Sequence, residues 1–147
     1  MKNKQSIIGF VLIGLLFLGY MWYNGYKMEQ RKEQAAQKQI EAMAEAASTV
    51  TKMFGENIAY INIMCNLSVD CDCCAIAEDP CMKDIGILAS CDPVAIDQAC
   101  IDLIYSSKDP GRDHMVKRIE TRHGIHTIER AAELGLGSRE YELIKID

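Results

Sequence analysis

The sequence predicts an α/β protein: an N-terminal transmembrane helix and a long linker helix, then a small, incomplete three-layer α/β unit with a short mixed sheet. Three observations predict it. Residues 7–23 contain no charged side chain. Residues 27–54 contain neither Pro nor Gly. Behind them, short β-branched runs alternate with amphipathic stretches bounded by turn residues.

The first segment, 1–26, reads as a membrane anchor. Seventeen uncharged residues sit at the short end of what spans a bilayer as a helix. Tyr20, Trp22, Tyr23 and Tyr26 follow, where an interfacial aromatic belt would hold one end of the span. An uncleaved anchor is favoured over a cleavable signal peptide, because bulky Tyr, Met and Trp stand where a signal peptidase needs small residues. A soluble core helix is the third alternative. Lys2 and Lys4 before the span face Lys27, Arg31, Lys32 and Lys38 behind it, so charge counting does not orient the chain.

Residues 27–55 read as a linker helix rich in Glu, Gln, Lys, Ala and Met. In its second half Ile40, Met43, Ala44, Ala47, Val50 and Phe54 recur at three- and four-residue spacing. Packing of this stripe against the chain's own body is favoured over a dimerising coiled coil, because the heptads are not sustained. Gly55 suits a C-cap.

Residues 56–147 form the predicted α/β domain. Strands are expected at 58–64 and 85–89 and, closing the sheet, at 141–146. Asp92 and Pro93 form an N-cap and first-turn pair that opens a helix. Ile96, Ala99, Cys100, Leu103 and Ile104 supply that helix's apolar face. A turn at 108–111 leads to a helix from about Arg112 to Gly124, and a further helix covers 127–134. Strands apolar on both faces need cover on both sides, so part of the sheet is expected to be missing.

Composition narrows function. Of 147 residues 49% are hydrophobic and 25% charged, with a net charge of −5, which excludes disordered and low-complexity classes. Residues 1–32 hold five basic side chains against one acidic, whereas 33–147 hold eleven against twenty. An acidic body without a basic stripe excludes nucleic acid as a partner.

The candidate site lies between the first two strands, where Cys65, Cys71, Cys73, Cys74 and Cys81 crowd into seventeen residues. Such density has three readings. A thiolate cluster could hold zinc or an iron–sulfur cluster, with Cys71-x-x-Cys74 and Cys81 as soft ligands and Cys65 or Cys73 completing four. The cysteines could instead form disulfides in an oxidising compartment, or remain free thiols. Spacing alone does not decide, since the run is neither the bacterial ferredoxin pattern nor two clean CxxC knuckles. Neighbouring Asp70, Asp72, Glu78, Asp79 and Asp84 attract cations but disfavour a nucleophilic thiolate. Cys100 reads as a core residue and Cys91 is ambiguous. His114, His123 and His126 are assigned mainly to helix ends, with a metal or anion site including Arg122 as the alternative. No Walker loop, GxGxxG motif or Ser/His/Asp constellation occurs, so whether the protein is an enzyme stays open.

Two resemblances accompany these readings. Met1-Lys2-Asn3-Lys4, the run 7–14 and Trp22-Tyr23-Asn24 resemble the anchor of YidC-type membrane protein insertases, over about residues 1–38. The membrane-helix bundle such an insertase needs has no counterpart here. The stretches Ser68-Val69-Asp70-Cys71-Asp72-Cys73, Asp84-Ile85-Gly86-Ile87-Leu88-Ala89-Ser90 and Asp92-Pro93-Val94-Ala95-Ile96-Asp97 resemble the C-terminal part of domain of unknown function family 362, as do Arg118-Ile119-Glu120, His123-Gly124, His126-Thr127 and Gly135-Leu136-Gly137-Ser138. This covers about residues 41–147. The resemblance implies a larger α/β family, some members of which carry a ferredoxin-like iron–sulfur segment, and supports Cys71, Cys73, Cys74 and Cys81 as ligands. A gene fusion or a misassembled reading frame would join the two parts.

The functional expectation is a membrane-anchored metal- or iron–sulfur-binding module serving electron transfer to a redox partner protein. It would sit as a single-pass protein in the inner (cytoplasmic) membrane, with its body on the cytoplasmic side, where thiolate ligands stay reduced. The alternatives are an insertase-related fragment and a redox enzyme using the cysteine loop.

Overall fold

The computed structural model describes residues 2–71 and 74–146, with side chains from Ile8 onward. Among the described residues there are four helices and one two-stranded sheet, in the order α1 (Lys2–Phe54), β1 (Tyr60–Met64), β2 (Gly86–Ser90), α2 (Pro93–Ser106), α3 (Arg112–Thr121) and α4 (Gly124–Glu133). The chain divides into two compact units, Met1–Gln39 and Ile40–Asp147.

The first unit is helix alone. Its apolar run from Ile8 to Leu18 is exposed, as expected of side chains whose solvent is lipid. By length and composition α1 can cross a membrane. At the end of the run Trp22 stacks on Tyr26 with ring centroids 6.3 Å apart, and the Lys27 ammonium lies 5.1 Å from the Tyr23 ring centre. Rings and a cation thus gather at one level of the helix, which suits an interface between lipid and water.

In the second unit α1 ends where Gly55 takes a left-handed φ of +56° and its amide bonds the Thr51 carbonyl, as the sequence predicts. The face this helix buries overlaps only part of the stripe expected to pack. Ala44 and Ser48 are buried, Ile40 is half-buried and Thr51 lies against Tyr60, while Met43, Val50 and Phe54 stay exposed. The physical reason is polar. Glu41 lies 3.3 Å from His126 and Glu45 pairs with Arg130 at 3.1 Å, both on α4, and the small Ala44 and Ser48 are buried beside these contacts.

The sheet departs from expectation twice. It is antiparallel rather than mixed, with Asn62 opposite Leu88 and Ile63 opposite Ile87. The expected closing strand at 141–146 is irregular. That segment reads as a strand but is held by helices instead: Ser138 donates to the Asp92 carboxylate, Arg139 to Gln98 and Glu129, and the Tyr141 hydroxyl to Asp102. The expected three layers are two. Helix α2 covers one face of the sheet, and on the other Ile61, Ile63 and Ile87 are 64–70% exposed.

Helix α2 starts as predicted. One oxygen of Asp92 accepts the amides of Val94 and Ala95 at 2.8 and 2.9 Å, and Pro93 occupies the first turn. Its apolar face meets Met64, Met82 and Met115 around Ile104, and the flexible thioethers fill the junction of sheet, loop and helices. Between α3 and α4 the backbone turns at His123, whose φ is +53°.

Candidate functional site

Of the 21 residues joining β1 to β2, the described ones form no strand or helix, yet they are tied at several levels. At the base, the Asn66 amide donates to Asp84, and Leu67 bridges Met82 with its carbonyl accepting the Cys81 amide at 2.8 Å. Above, the Ser68 hydroxyl donates to the Glu78 carbonyl at 3.0 Å, and the Glu78 amide donates to Asp70 at 3.2 Å. Near the tip the Cys74 amide donates to the Cys71 carbonyl at 2.9 Å, closing a turn with one cysteine at each end.

Helix α3 holds this loop from the side. Arg118 donates from Nε to the Val69 carbonyl at 2.9 Å and forms an ion pair with Asp70, whose side chain is only 13% exposed. His114, one turn earlier on the same face, lies 3.6 Å from Glu78. At the root of the helix Asp109 accepts the amides of Gly111 and Lys83. The Glu78 amide keeps the Asp70 carboxyl below the ordinary carboxylate value, desolvation opposes this, and the Arg118 and Arg122 charges add to the lowering. Hydrogen bonds from Gly111 and Lys83 lower Asp109 in the same way.

Loop and helix enclose an open cavity of about 320 Å³ lined by Val69, Asp70, Cys71, Cys74, Arg118, Ile119 and Arg122. Of the five expected thiol ligands, the structure therefore brings Cys71 and Cys74 to one wall. Cys73 lies outside the described residues. Cys65, just past β1, is exposed and does not line the cavity. Cys81 is half-buried and packs on the Met64–Met82–Ile104–Met115 cluster, drawn there by the adjacent Leu67–Met82 bridge. Among the described residues no three His, Cys, Asp or Glu side chains converge as a metal would need.

Cys100 is the core residue expected. It accepts a hydrogen bond from Asn62, and burial raises its thiol pKa. Cys91 is an exposed thiol. The histidines lie at helix ends as assigned, His114 and His126 in the first turns of α3 and α4 and His123 at the N-cap position of α4. His123 makes no side-chain capping bond, and His126 lies between Glu41 and Glu129. Arg118 was not singled out from the sequence, and Arg122 only as a neighbour of the histidines. The spacing of His114, Arg118 and Arg122 at successive four-residue steps is the signal that aligns them on one helix face.

No curated protein and no solved structure matches the chain. One family model does, over residues 12–102, more than half of the sequence. The match begins earlier than the expected residue 41, inside the apolar run, and ends in α2 rather than at the C-terminus. It thus takes in most of the segment likened to an insertase anchor, and no finding supports that likeness. Cysteine loop, sheet and the first ten residues of α2 fall within it, and the chain belongs to the family described as Domain of unknown function (DUF362).

Proposed function

We propose that the protein is a membrane-anchored module whose Cys71–Cys74 turn holds a soft metal ion and serves electron transfer to a redox partner. The observation that carries this is the placement of Cys71 and Cys74 at the two ends of one turn, on one wall of a cavity. Thiolates three residues apart on a turn form half of a tetrahedral thiolate site. Arg118 and Arg122 on the same cavity offset the negative charge that metal-bound thiolates bring. Cys73, between them in the sequence, is the third ligand in this proposal. A four-cysteine iron–sulfur cluster fits less well, because Cys81 would have to leave the methionine cluster. Residues 8–26 form the single span, in the inner membrane, with the body in the cytoplasm where thiolates stay reduced.

Two outcomes decide. Anaerobically purified full-length protein in detergent should carry about one soft metal ion per chain, seen by elemental analysis and the visible spectrum. Cys71→Ser and Cys74→Ser should each abolish it while Cys100→Ser keeps it. No stoichiometric metal, even after reconstitution, overturns the proposal. The same pair favours one second reading, a dithiol–disulfide catalyst. It predicts that mild oxidation removes two titratable thiols, and that Cys74→Ser prevents this. Membrane fractionation tests the anchor separately, and labelling of the loop cysteines from outside intact cells counts against a cytoplasmic metal site.

A further inference from the structure

The cavity beside the Cys71–Cys74 turn holds one uncommitted cation. Asp70, the one carboxylate lining it among the described residues, has both oxygens engaged, one by Arg118 and the other by the Glu78 amide at 3.2 Å. Arg118 is committed in turn, to Asp70 and to the Val69 carbonyl. Arg122, one helical turn further on, lines the same cavity, and its side chain makes no hydrogen bond or ion pair among the described residues. Asp70 is the group its charge acts on, and Arg118 already pairs with that carboxylate. Val69, Ile119 and two thiols complete the lining. We infer that this cavity binds a small organic carboxylate, its anion on the Arg122 guanidinium and its short hydrocarbon part against Val69 and Ile119.

Charge, size and lining select that class. With the thiols protonated, Asp70 and Arg118 cancel and Arg122 leaves the wall a single positive charge, which a monoanion neutralises. A volume of about 320 Å³ lies at the lower end of small-molecule sites, which suits a ligand of a few carbons. A guanidinium whose side-chain donors are all uncommitted matches a carboxylate through two parallel hydrogen bonds. A phosphate group brings about two charges and a third oxygen to one free cation in a wall otherwise apolar, so part of it would go unsatisfied. A divalent metal on three thiolates would cancel the Arg122 charge. The carboxylate therefore belongs to the metal-free cavity, and the inference does not rest on the metal proposed above.

The test uses the full chain in detergent, reduced, stripped of metal by a chelator and kept at low ionic strength. Butyrate is the probe, butyramide its neutral counterpart and inorganic phosphate the alternative anion, each titrated by saturation-transfer difference NMR. Butyrate should bind with a dissociation constant on the order of 1 mM, at least about tenfold tighter than butyramide or phosphate. Arg122→Gln should weaken butyrate by at least about tenfold and Arg122→Lys by an intermediate factor, whereas Lys117→Gln, at an exposed cation outside the cavity, should leave it unchanged. In the parent chain, butyrate at ten times its dissociation constant should slow maleimide labelling of Cys71 and Cys74 by up to about tenfold, since only the free cavity reacts, and leave exposed Cys91 unaffected. Equal binding of butyrate and butyramide, tighter binding of phosphate, unchanged affinity in Arg122→Gln, or unslowed labelling of Cys71 and Cys74 overturns the site. Elemental analysis before stripping reads the other proposal: stoichiometric metal without butyrate binding refutes the carboxylate and keeps the metal, whereas butyrate binding by a chain that carries no metal does the reverse.

Discussion

Gly111→Ala should destabilise the body, although every local consideration predicts the opposite. Gly111 has φ −78° and ψ −10°, a conformation that alanine adopts without strain, at the entrance of α3. At such a site removing glycine's backbone freedom stabilises a protein by about 0.4–1 kcal/mol. The contact reverses the sign. An added Cβ would lie 2.6 Å from the Cys81 carbonyl carbon and closer still to its oxygen, with the Met82 side chain 3.2 Å away. A side chain could swing aside, but this obstacle is backbone, and it is held by the Cys81 amide bond to Leu67 and the Leu67–Met82 bridge.

Overpacking of this kind costs about 1–3 kcal/mol and sometimes more. After the gain in backbone entropy is subtracted, a net loss of about 1–2 kcal/mol remains. For a unit of this size that lowers the melting temperature by about 5–15 °C. The assay is thermal unfolding of the full chain in detergent by circular dichroism, together with the alkylation rate of half-buried Cys81, which should rise. Gly124→Ala is the comparison. Its Cβ would approach a side-chain methyl of Ile119 at 3.3 Å, which can give by a few tenths of an ångström, so its melting temperature should move by much less. A melting temperature raised by Gly111→Ala would refute the packing of the loop's end against α3.

Two further outcomes follow from the same clamp. Arg118→Ala removes the bonds to Val69 and Asp70, so labelling of Cys71 and Cys74 by a maleimide should accelerate, with Arg118→Lys intermediate because it keeps a charge but loses the planar fork; unchanged rates would show that the arginine does not position the turn. Asp70 and Asp109 both titrate below their ordinary value when folded, so their stabilisation is complete above about pH 5 and is lost as pH falls through about 4 and below. Denaturant unfolding at stepped pH should show this loss, and Asp109→Asn should be less stable at neutral pH with a shallower acid dependence; a variant as stable as the parent at neutral pH would remove Asp109 from the account.

How much was legible in the sequence followed how local the deciding interactions are. Asp92 and Pro93 announce α2 because a cap is settled by residues two and three positions on. Gly55 announces the end of α1 for the same reason. Residues 141–146 carry a strand's pattern, but a strand also needs an edge to pair with, and long-range bonds from Asp92, Asp102 and Glu129 hold the tail elsewhere. The rotation of α1 was likewise unreadable. Its apolar stripe argued for burial, while the pairs beside its buried residues, Glu41–His126 and Glu45–Arg130, each span 85 residues. Cysteine density located the loop correctly, yet spacing could not tell a cysteine drawn into a methionine cluster from two that face a cavity.

The family match adds a physical division within the site. It ends at residue 102 and contains every cysteine of the chain, but several side chains that hold the loop lie beyond it. Asp109 accepts the Lys83 amide, Gly111 abuts Cys81, His114 meets Glu78, and Arg118 holds Val69 and Asp70. A 21-residue connection with no strand or helix among its described residues satisfies only part of its backbone through its own bonds, so contacts from outside add to its order. Helix α3 supplies such contacts from one face and from its first turn. In this chain the loop cysteines therefore belong to the family's shared region, and the placement of the loop depends in part on the helix that follows it.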